Sequence, residues 1–383
     1  MIQHRWIRHV GVLASCWSIA LFEISAHAQS ANTDLSPLRD LASQCGIWIG
    51  PAVAYGPLTG QAIYADTLGR EFSILTPEND MKWAPIHPQQ FQYSFDRADA
   101  LVAFAGANGM TVHGHTLVWH NQIPSWLSSG SFTRDEMIDI LADHIYTVVG
   151  RYSGSIAAWD VVNEAVNDDG SLRSTLWLSS IGPEYLDLAF RFASDADPNA
   201  PLVYNDYGNE SINAKSNGIY DLVSGMLARG VPIHGVGFQL HITLDGINLA
   251  SFAQNMQRFA DLGLGIYISE LDVRMQLPVT PEMLAIQANV YSGILDACLA
   301  QSACRAFQMW GFTDAHSWVP SSFPGYGAAL IFDEMYQPKP AYDALAQGLS
   351  QCPSPVAGAK SSLRSANVLL ARPGAMRQLP PAY

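Results

Sequence analysis

Two glutamates stand on short apolar runs that read as β-strands: Glu164 near the end of residues 157–165 and Glu270 within residues 265–273. Comparable positions elsewhere carry Glu78-Asn79-Asp80-Met81-Lys82-Trp83, then His113, His115, Trp119 and His120, then Asn205-Asp206-Tyr207, then Gln239-Leu240-His241, and finally Trp310 with Trp318 beyond it. A purely structural core would not place so many polar groups at equivalent points. Two carboxyl groups across a cleft can cleave a glycosidic bond. One protonates the leaving oxygen, the other attacks the anomeric carbon, and a gap of about 5 Å gives net retention through a covalent sugar–enzyme intermediate. A lone strand-end glutamate is more often a solvated loop carboxylate, so the neighbours decide.

Strand residues two apart share a face, which pairs Gln239 with His241 and Glu270 with Asp272. A histidine beside the attacking carboxylate, itself held by Asp272, would fix the orientation of Glu270. Asn163 and Glu164 are adjacent and point opposite ways on a regular strand, so both reach one site only through a bulge or at the strand's very end. Trp83, Trp119, Trp310 and Trp318 are expected at the mouth, where flat rings pack against sugar C–H faces, with Glu78, Asn79, Lys82 and His115 holding hydroxyls. Trp48 and Trp159 read as core. His113, His115, His120, His241 and Asp272 would also suit a barrel-type metal hydrolase. That rival leaves Asn163-Glu164 and the tryptophans unexplained, so the reading calls for no metal and no cofactor.

These groups need a scaffold that brings strand ends together. Strand patterns cover residues 46–54, 72–79, 111–119, 157–165, 201–207, 235–242, 265–273 and 306–313, with helical spacing between them, as in 133–149, 183–196 and 281–299. Eight strand–helix repeats predict an α/β fold of one domain, a closed parallel (β/α)8 TIM barrel, with reactive groups at the carboxyl ends of its strands. A doubly wound open sheet is the runner-up; it wants a glycine-rich phosphate turn after its first strand, and Gly50-Pro51-Ala52 is not one.

Of 383 residues 49% are hydrophobic and only 14% charged, which excludes a disordered chain, and a formal charge of −14 excludes nucleic acid as a natural partner. Residues 1–30 carry +1 and the stretch after Cys352 carries +4, so subtracting both leaves −19 on the middle. Arg5 and Arg8, the apolar run 10–22 and Ala26-His27-Ala28 make residues 1–28 an export signal cleaved near Ala28, hence a secreted protein. A lipid attachment at Cys16, after Leu13-Ala14-Ser15, is the alternative. The run is too short for a membrane anchor, and no later segment is expected to span a bilayer. Residues 29–44 form a lead-in, 45–352 the catalytic domain, and 353–383 a Pro/Ser/Ala-rich basic tail of disordered character. Export makes the cysteines disulfide candidates: Cys298 and Cys304 by local spacing, Cys45 and Cys352 only if the fold brings the domain's ends together. Asn209-Glu210-Ser211 is a glycosylation sequon.

At five of these stretches the sequence resembles glycoside hydrolase family 10, the endo-β-1,4-xylanases. They are Thr76-Pro77-Glu78-Asn79-Asp80-Met81-Lys82-Trp83, Gly114-His115-Thr116-Leu117-Val118-Trp119-His120, Trp159-Asp160-Val161-Val162-Asn163-Glu164, Gly237-Phe238-Gln239-Leu240-His241 and Ile268-Ser269-Glu270-Leu271-Asp272-Val273. The resemblance runs from about Cys45 to Leu349. It implies Glu164 as acid/base and Glu270 as nucleophile, Asn163 at the sugar 2-hydroxyl, and His241 with Asp272 as an orienting relay. Glu78, Asn79, Lys82, His115, Trp119, Gln239, Trp310 and Trp318 become walls of the glycone subsites, and Tyr207 a platform for the leaving sugar. It also implies a Cys298–Cys304 disulfide and xylan or xylo-oligosaccharide as substrate. The protein is expected to be a monomer without nucleic-acid or membrane partners. Ala84 stands where the family often has an acid and Gly208 where Asn is common.

Overall fold

The computed structural model describes residues 36–352. The expected export signal, the first part of the expected lead-in and the expected tail from residue 353 lie outside the described residues. Eight strands form the barrel: β1 (Trp48–Val53), β2 (Ile74–Pro77), β3 (Thr111–Val118), β4 (Ile156–Asn163), β5 (Leu202–Asp206), β6 (Gly235–Phe238), β7 (Gly265–Gln276) and β8 (Cys304–Met309). Each pairs in parallel with the next, and β8 pairs back onto β1 through Trp48 opposite Ala306, which closes the sheet into a TIM barrel. Closure leaves no barrel strand with a free edge.

The helices begin where local chemistry ends the preceding chain. Thr133 caps helix Arg134–Arg151 through a reciprocal box with Glu136, and Thr280 caps Pro281–Ala300, whose first residue is proline. Helix Tyr185–Ala196 starts two residues later than its apolar spacing predicts, because Pro183 and Glu184 remain in a turn. Helix Pro281–Ala300 is, by length and composition, apolar enough to cross a membrane, contrary to expectation. It lies against the barrel instead: Tyr291, Ile294 and Leu295 are buried, and Gln287 donates from Nε2 to the Val273 carbonyl at 2.9 Å.

Most strands shift by one to three residues at an end, and two break or stop well inside their predicted spans. The sixth breaks after Phe238 and resumes at His241–Thr243, because Leu240 has a left-handed backbone (φ 61°) that no continuous strand permits. The eighth stops at Met309 rather than Thr313, and Gly311 (φ 111°) turns the chain there. The barrel interior holds a polar file. Thr76 accepts from Gln308, Gln308 bonds His113, and His113 and His115 bond the two oxygens of Asp160, all of them buried. Below this file Trp48 packs against Ala158, Val203, Tyr267 and Ala306, and Trp159 is fully buried, both as expected.

Both disulfides are formed. Cys298–Cys304 joins the end of helix Pro281–Ala300 to the start of β8, and Cys45–Cys352 ties the two ends of the barrel across 307 residues of sequence. A cross-link over so long a loop chiefly restricts the unfolded chain. A C45S variant should therefore lose about 2–5 kcal/mol and unfold at a clearly lower temperature in calorimetry, with activity at room temperature retained. An unchanged Tm would mean that the bridge restrains nothing.

Candidate active site

The carboxyl ends of the strands converge on Glu164 and Glu270. Asn163 is the last residue of β4, and the next residue, Glu164, turns into left-handed backbone (φ 58°), so two neighbours that would diverge on a regular strand reach the same cleft. A register shift between Asp160 and Val162 precedes the turn. A non-glycine residue in this region costs about 1–3 kcal/mol and persists only where surroundings enforce it.

Glu164 accepts from Trp119 Nε1 at 2.9 Å, from Gln239 Nε2 at 3.2 Å and from Asn163 Nδ2 at 3.3 Å. Glu270 accepts from Asn205 Nδ2 at 2.7 Å, and its other oxygen lies 3.1 Å from His241 Nε2. The far nitrogen of His241 meets Asp272 at 2.7 Å, and the same Asp272 oxygen accepts from Trp318 Nε1 at 2.8 Å. Burial would depress the His241 imidazole, but the Asp272 and Glu270 carboxylates outweigh it and lift the ring to about 10. Through the neutral range it thus carries both protons and donates to each carboxylate. Gln239 and His241 both reach the site, though across the break at Leu240 rather than along one pleat.

On one side of the carboxylates lie the residues that follow β2. Asn79 donates to Glu78 at 3.2 Å and accepts from Lys82 at 3.2 Å, and the Lys82 ammonium sits 4.9 Å from the centre of the Trp119 ring and 5.4 Å from that of Trp310. Burial lowers the Lys82 ammonium against the pull of Glu270, Glu78 and Glu164, and burial likewise raises Glu78. His115 bonds Asp160 at 2.9 Å and meets the Trp310 ring edge-on. Burial opposes the charge of Asp160, yet His113 and His115 overcome it and hold the carboxyl at about 2. On the other side Tyr207 follows β5, its hydroxyl accepting from Arg173 at 2.9 Å. Every expected site residue but Trp83 therefore lies in or beside one cleft.

Trp83 does not line it. The ring is 2% exposed, its Nε1 donates to the Leu117 carbonyl, and it stacks on His144 at 3.5 Å behind the wall. His144 and His87 face each other there through Nδ1 at 3.4 Å, and each has a buried Nε2 without a partner. Burial pushes His87 down to about 4, with only Asp143 opposing, and His144 well below its ordinary value. Their folded values lie below the unfolded one, so as pH falls below about 6.5 the unfolded chain takes up protons that the folded chain refuses. Stability should fall from there through pH 4, by roughly 3 kcal/mol for His87 alone. Urea unfolding at pH 7 and pH 4 should show this gap narrowing in an H87F variant; an undiminished gap would place the acid sensitivity elsewhere.

Several site residues were given no role in the sequence reading, Asn205 among them although its strand end was noted. Asn205 bridges Asn163 and Glu270, and it has room because Gly237 faces it: an added Cβ there would lie 2.1 Å from the Asn205 amide oxygen. Gln122 donates to Asn79 at 3.1 Å, and buried Glu210 accepts the Leu240 amide proton at 3.1 Å, pinning the turn between Gln239 and His241. Asn209 of the sequon is fully buried and donates to the Gly237 carbonyl, so the folded chain does not offer it for glycosylation. Of the histidines weighed for a metal, His113, His115 and His241 bond carboxylates, whereas His120 lies 3.9 Å from Glu164 and its buried Nδ1 has no partner. Among the described residues no three His, Cys, Asp or Glu side chains gather as metal ligands would.

The family model described as "Glycosyl hydrolase family 10" matches residues 37–348. The chain belongs to glycosyl hydrolase family 10. It is thus a glycoside hydrolase, and the family resemblance read from the five motifs holds. Among its family 10 relatives, endo-1,4-beta-xylanase B of Thermotoga neapolitana is 50% identical over 312 residues, 81% of this chain and 90% of that protein. Endo-1,4-beta-xylanase A of Phanerodontia chrysosporium is 40% identical over 83% of this chain and 78% of its own. Among solved structures, xylanase 10B from Thermotoga petrophila in complex with xylobiose is 49% identical, covers 82% of this chain and 97% of its own, and superposes with a TM-score of 0.80. The family's frequent Asn is replaced by Gly208 at a left-handed position (φ 67°), a conformation that both residues tolerate.

Proposed function

We propose that the protein is an exported retaining endo-β-1,4-xylanase that cleaves internal bonds of xylan or xylo-oligosaccharides, with Glu270 as nucleophile and Glu164 as general acid/base. The observation that carries the reading is the shared hydrogen-bonded set between the two carboxylates. Asn163 accepts from Gln239 and Asn205, which in turn donate to Glu164 and Glu270 respectively. The two carboxylates are thereby linked by three side chains, from β4, β5 and the turn after β6.

In the first step Glu270 attacks the anomeric carbon while Glu164 gives its proton to the departing glycosidic oxygen, leaving a xylosyl ester on Glu270. Water then attacks the same carbon, Glu164 takes its proton, and the ester bond breaks. Asn163, next to the acid/base, meets the sugar 2-hydroxyl. Lys82, Trp119 and Trp310 with Glu78, Asn79, His115, Gln239 and Trp318 hold the glycone, and Tyr207 receives the leaving sugar. The two disulfides suit an oxidising compartment and support export, with cleavage of the leader near Ala28. The enzyme acts as a monomer on a neutral polysaccharide, without nucleic-acid or membrane partners.

The test is a panel of xylan, cellulose and mixed-linkage glucan read by new reducing ends, with proton NMR of the first products from xylo-oligosaccharides. Preferential cleavage of xylan with β-anomers appearing first is expected. Initial α-anomers would overturn retention, and equal activity on cellulose would overturn the specificity.

A further inference from the structure

Glu164 holds left-handed backbone, and the peptide that follows it is gripped from both sides by groups outside the reaction described above. Its carbonyl accepts from Arg173 Nε at 2.9 Å. The amide proton of Ala165 goes to the Tyr204 hydroxyl at 3.0 Å. Tyr204 in turn donates to Asp206 at 2.6 Å, and the other Asp206 oxygen lies 2.9 Å from the Lys215 ammonium and accepts the Tyr207 amide proton at 2.9 Å. Tyr204, Asp206 and Lys215 are all buried.

We propose that Tyr204, anchored by the Asp206–Lys215 ion pair, is a positioning residue that holds the 164–165 peptide in the orientation aiming the Glu164 carboxyl at the glycosidic oxygen. The inference rests on the acid/base reading of Glu164. The hydroxyl is the only side-chain partner of the Ala165 amide recorded among the described residues. A buried amide left without an acceptor favours a turn that finds another, and in doing so rotates Glu164. Asp206 matters because it accepts the Tyr204 O–H hydrogen bond, which leaves a hydroxyl lone pair for the Ala165 amide. Lys215 keeps that carboxylate charged in a buried place; burial alone would raise Asp206, and it stands at about 6 with Lys215 and Tyr204 opposing. The Asp206 bond to the Tyr207 amide joins the same frame to the platform for the leaving sugar, so acid and leaving group are set by one network.

The test separates misplacement of the acid from general damage. Aryl β-xylobiosides with a phenyl and a dinitrophenyl leaving group share a glycone and a ring at the leaving site, but only the phenyl group needs a proton to depart. A Y204F variant should lose about 10- to 100-fold in kcat/KM on the phenyl substrate, the scale of a 1 Å misplacement, and stay within about threefold on the dinitrophenyl one. A D206N variant, which keeps the side-chain shape, should show the same split to a smaller degree and decides the matter if Y204F does not fold. Equal losses on both substrates, or none on either, would overturn the proposal. E164A run alongside keeps the two ideas apart. If it splits the substrates and the Tyr204 and Asp206 variants do not, only the positioning role falls; if E164A itself shows no split, the acid/base assignment fails and takes the positioning role with it.

Discussion

An E270A variant should lose at least about 10⁴-fold in kcat on xylan, as expected when a covalent nucleophile is removed and only binding and electrostatics remain. Added azide should restore turnover, and the product should be the α-glycosyl azide. The stereochemistry carries the argument. With Glu270 gone, the anion enters the space it vacates, next to Asn205 Nδ2 and His241 Nε2, which both donated to the carboxylate. Azide there attacks the anomeric carbon from the face opposite the leaving sugar, and Glu164 still protonates that sugar, so configuration inverts once. His241 remains held by Asp272 at 2.7 Å, so the cavity keeps a cationic wall suited to a small anion. A β-azide product, or substantial activity without azide, would remove Glu270 from the role of nucleophile. The variant's fold is checked independently by retained binding of xylo-oligosaccharides in calorimetry.

The barrel was legible because its signal is repetitive. Each strand patch is short and apolar, each is followed by a helical period, and the spacing recurs eight times, so errors of up to four residues at an end do not alter the count. That Glu164, Glu270, His241 and Asp272 gather at one place was legible for a different reason: charged and polar groups at the carboxyl ends of parallel strands have few structural uses. What stayed hidden depends on non-local geometry. Alternation alone put Gln239 and His241 on one continuous pleat, whereas the chain breaks at Leu240 and is held there by Glu210, thirty positions earlier in sequence. Asn205 became a partner of Glu270 only through the space left by Gly237, a pairing across two strands that neither residue announces. Trp83 shows the reverse failure. It follows Lys82, a wall of the cleft, yet the backbone turn at Lys82 into helix Trp83–Ile86 swings its ring behind that wall onto His144. The acidic balance of the chain also gains a location, since Glu78, Glu164, Glu270 and Asp272 share one mouth.

An E164A variant should lose about 10²–10⁴-fold in kcat/KM on substrates whose leaving group must be protonated, the usual contribution of a general acid. A dinitrophenyl xylobioside should retain nearly all of its kcat/KM. That constant reports the steps up to formation of the glycosyl-enzyme, and a leaving group stable as an anion does not call on the acid there. The same residue serves as base in the second step, so kcat on the dinitrophenyl substrate should fall, and KM should fall with it as the ester on Glu270 accumulates. Azide needs no base to attack that ester. It should raise kcat and give a β-glycosyl azide, because two inversions at one carbon restore the starting configuration. E270A and E164A thus predict azides of opposite hand from the same cleft. The contrast depends on which carboxylate forms the bond to carbon, and a general weakening of the site, through lost packing around Trp119 or a displaced Gln239, would produce neither product. An α-azide from E164A would exchange the two roles, with Asn205 and His241 then serving the acid and Trp119 and Gln239 the nucleophile.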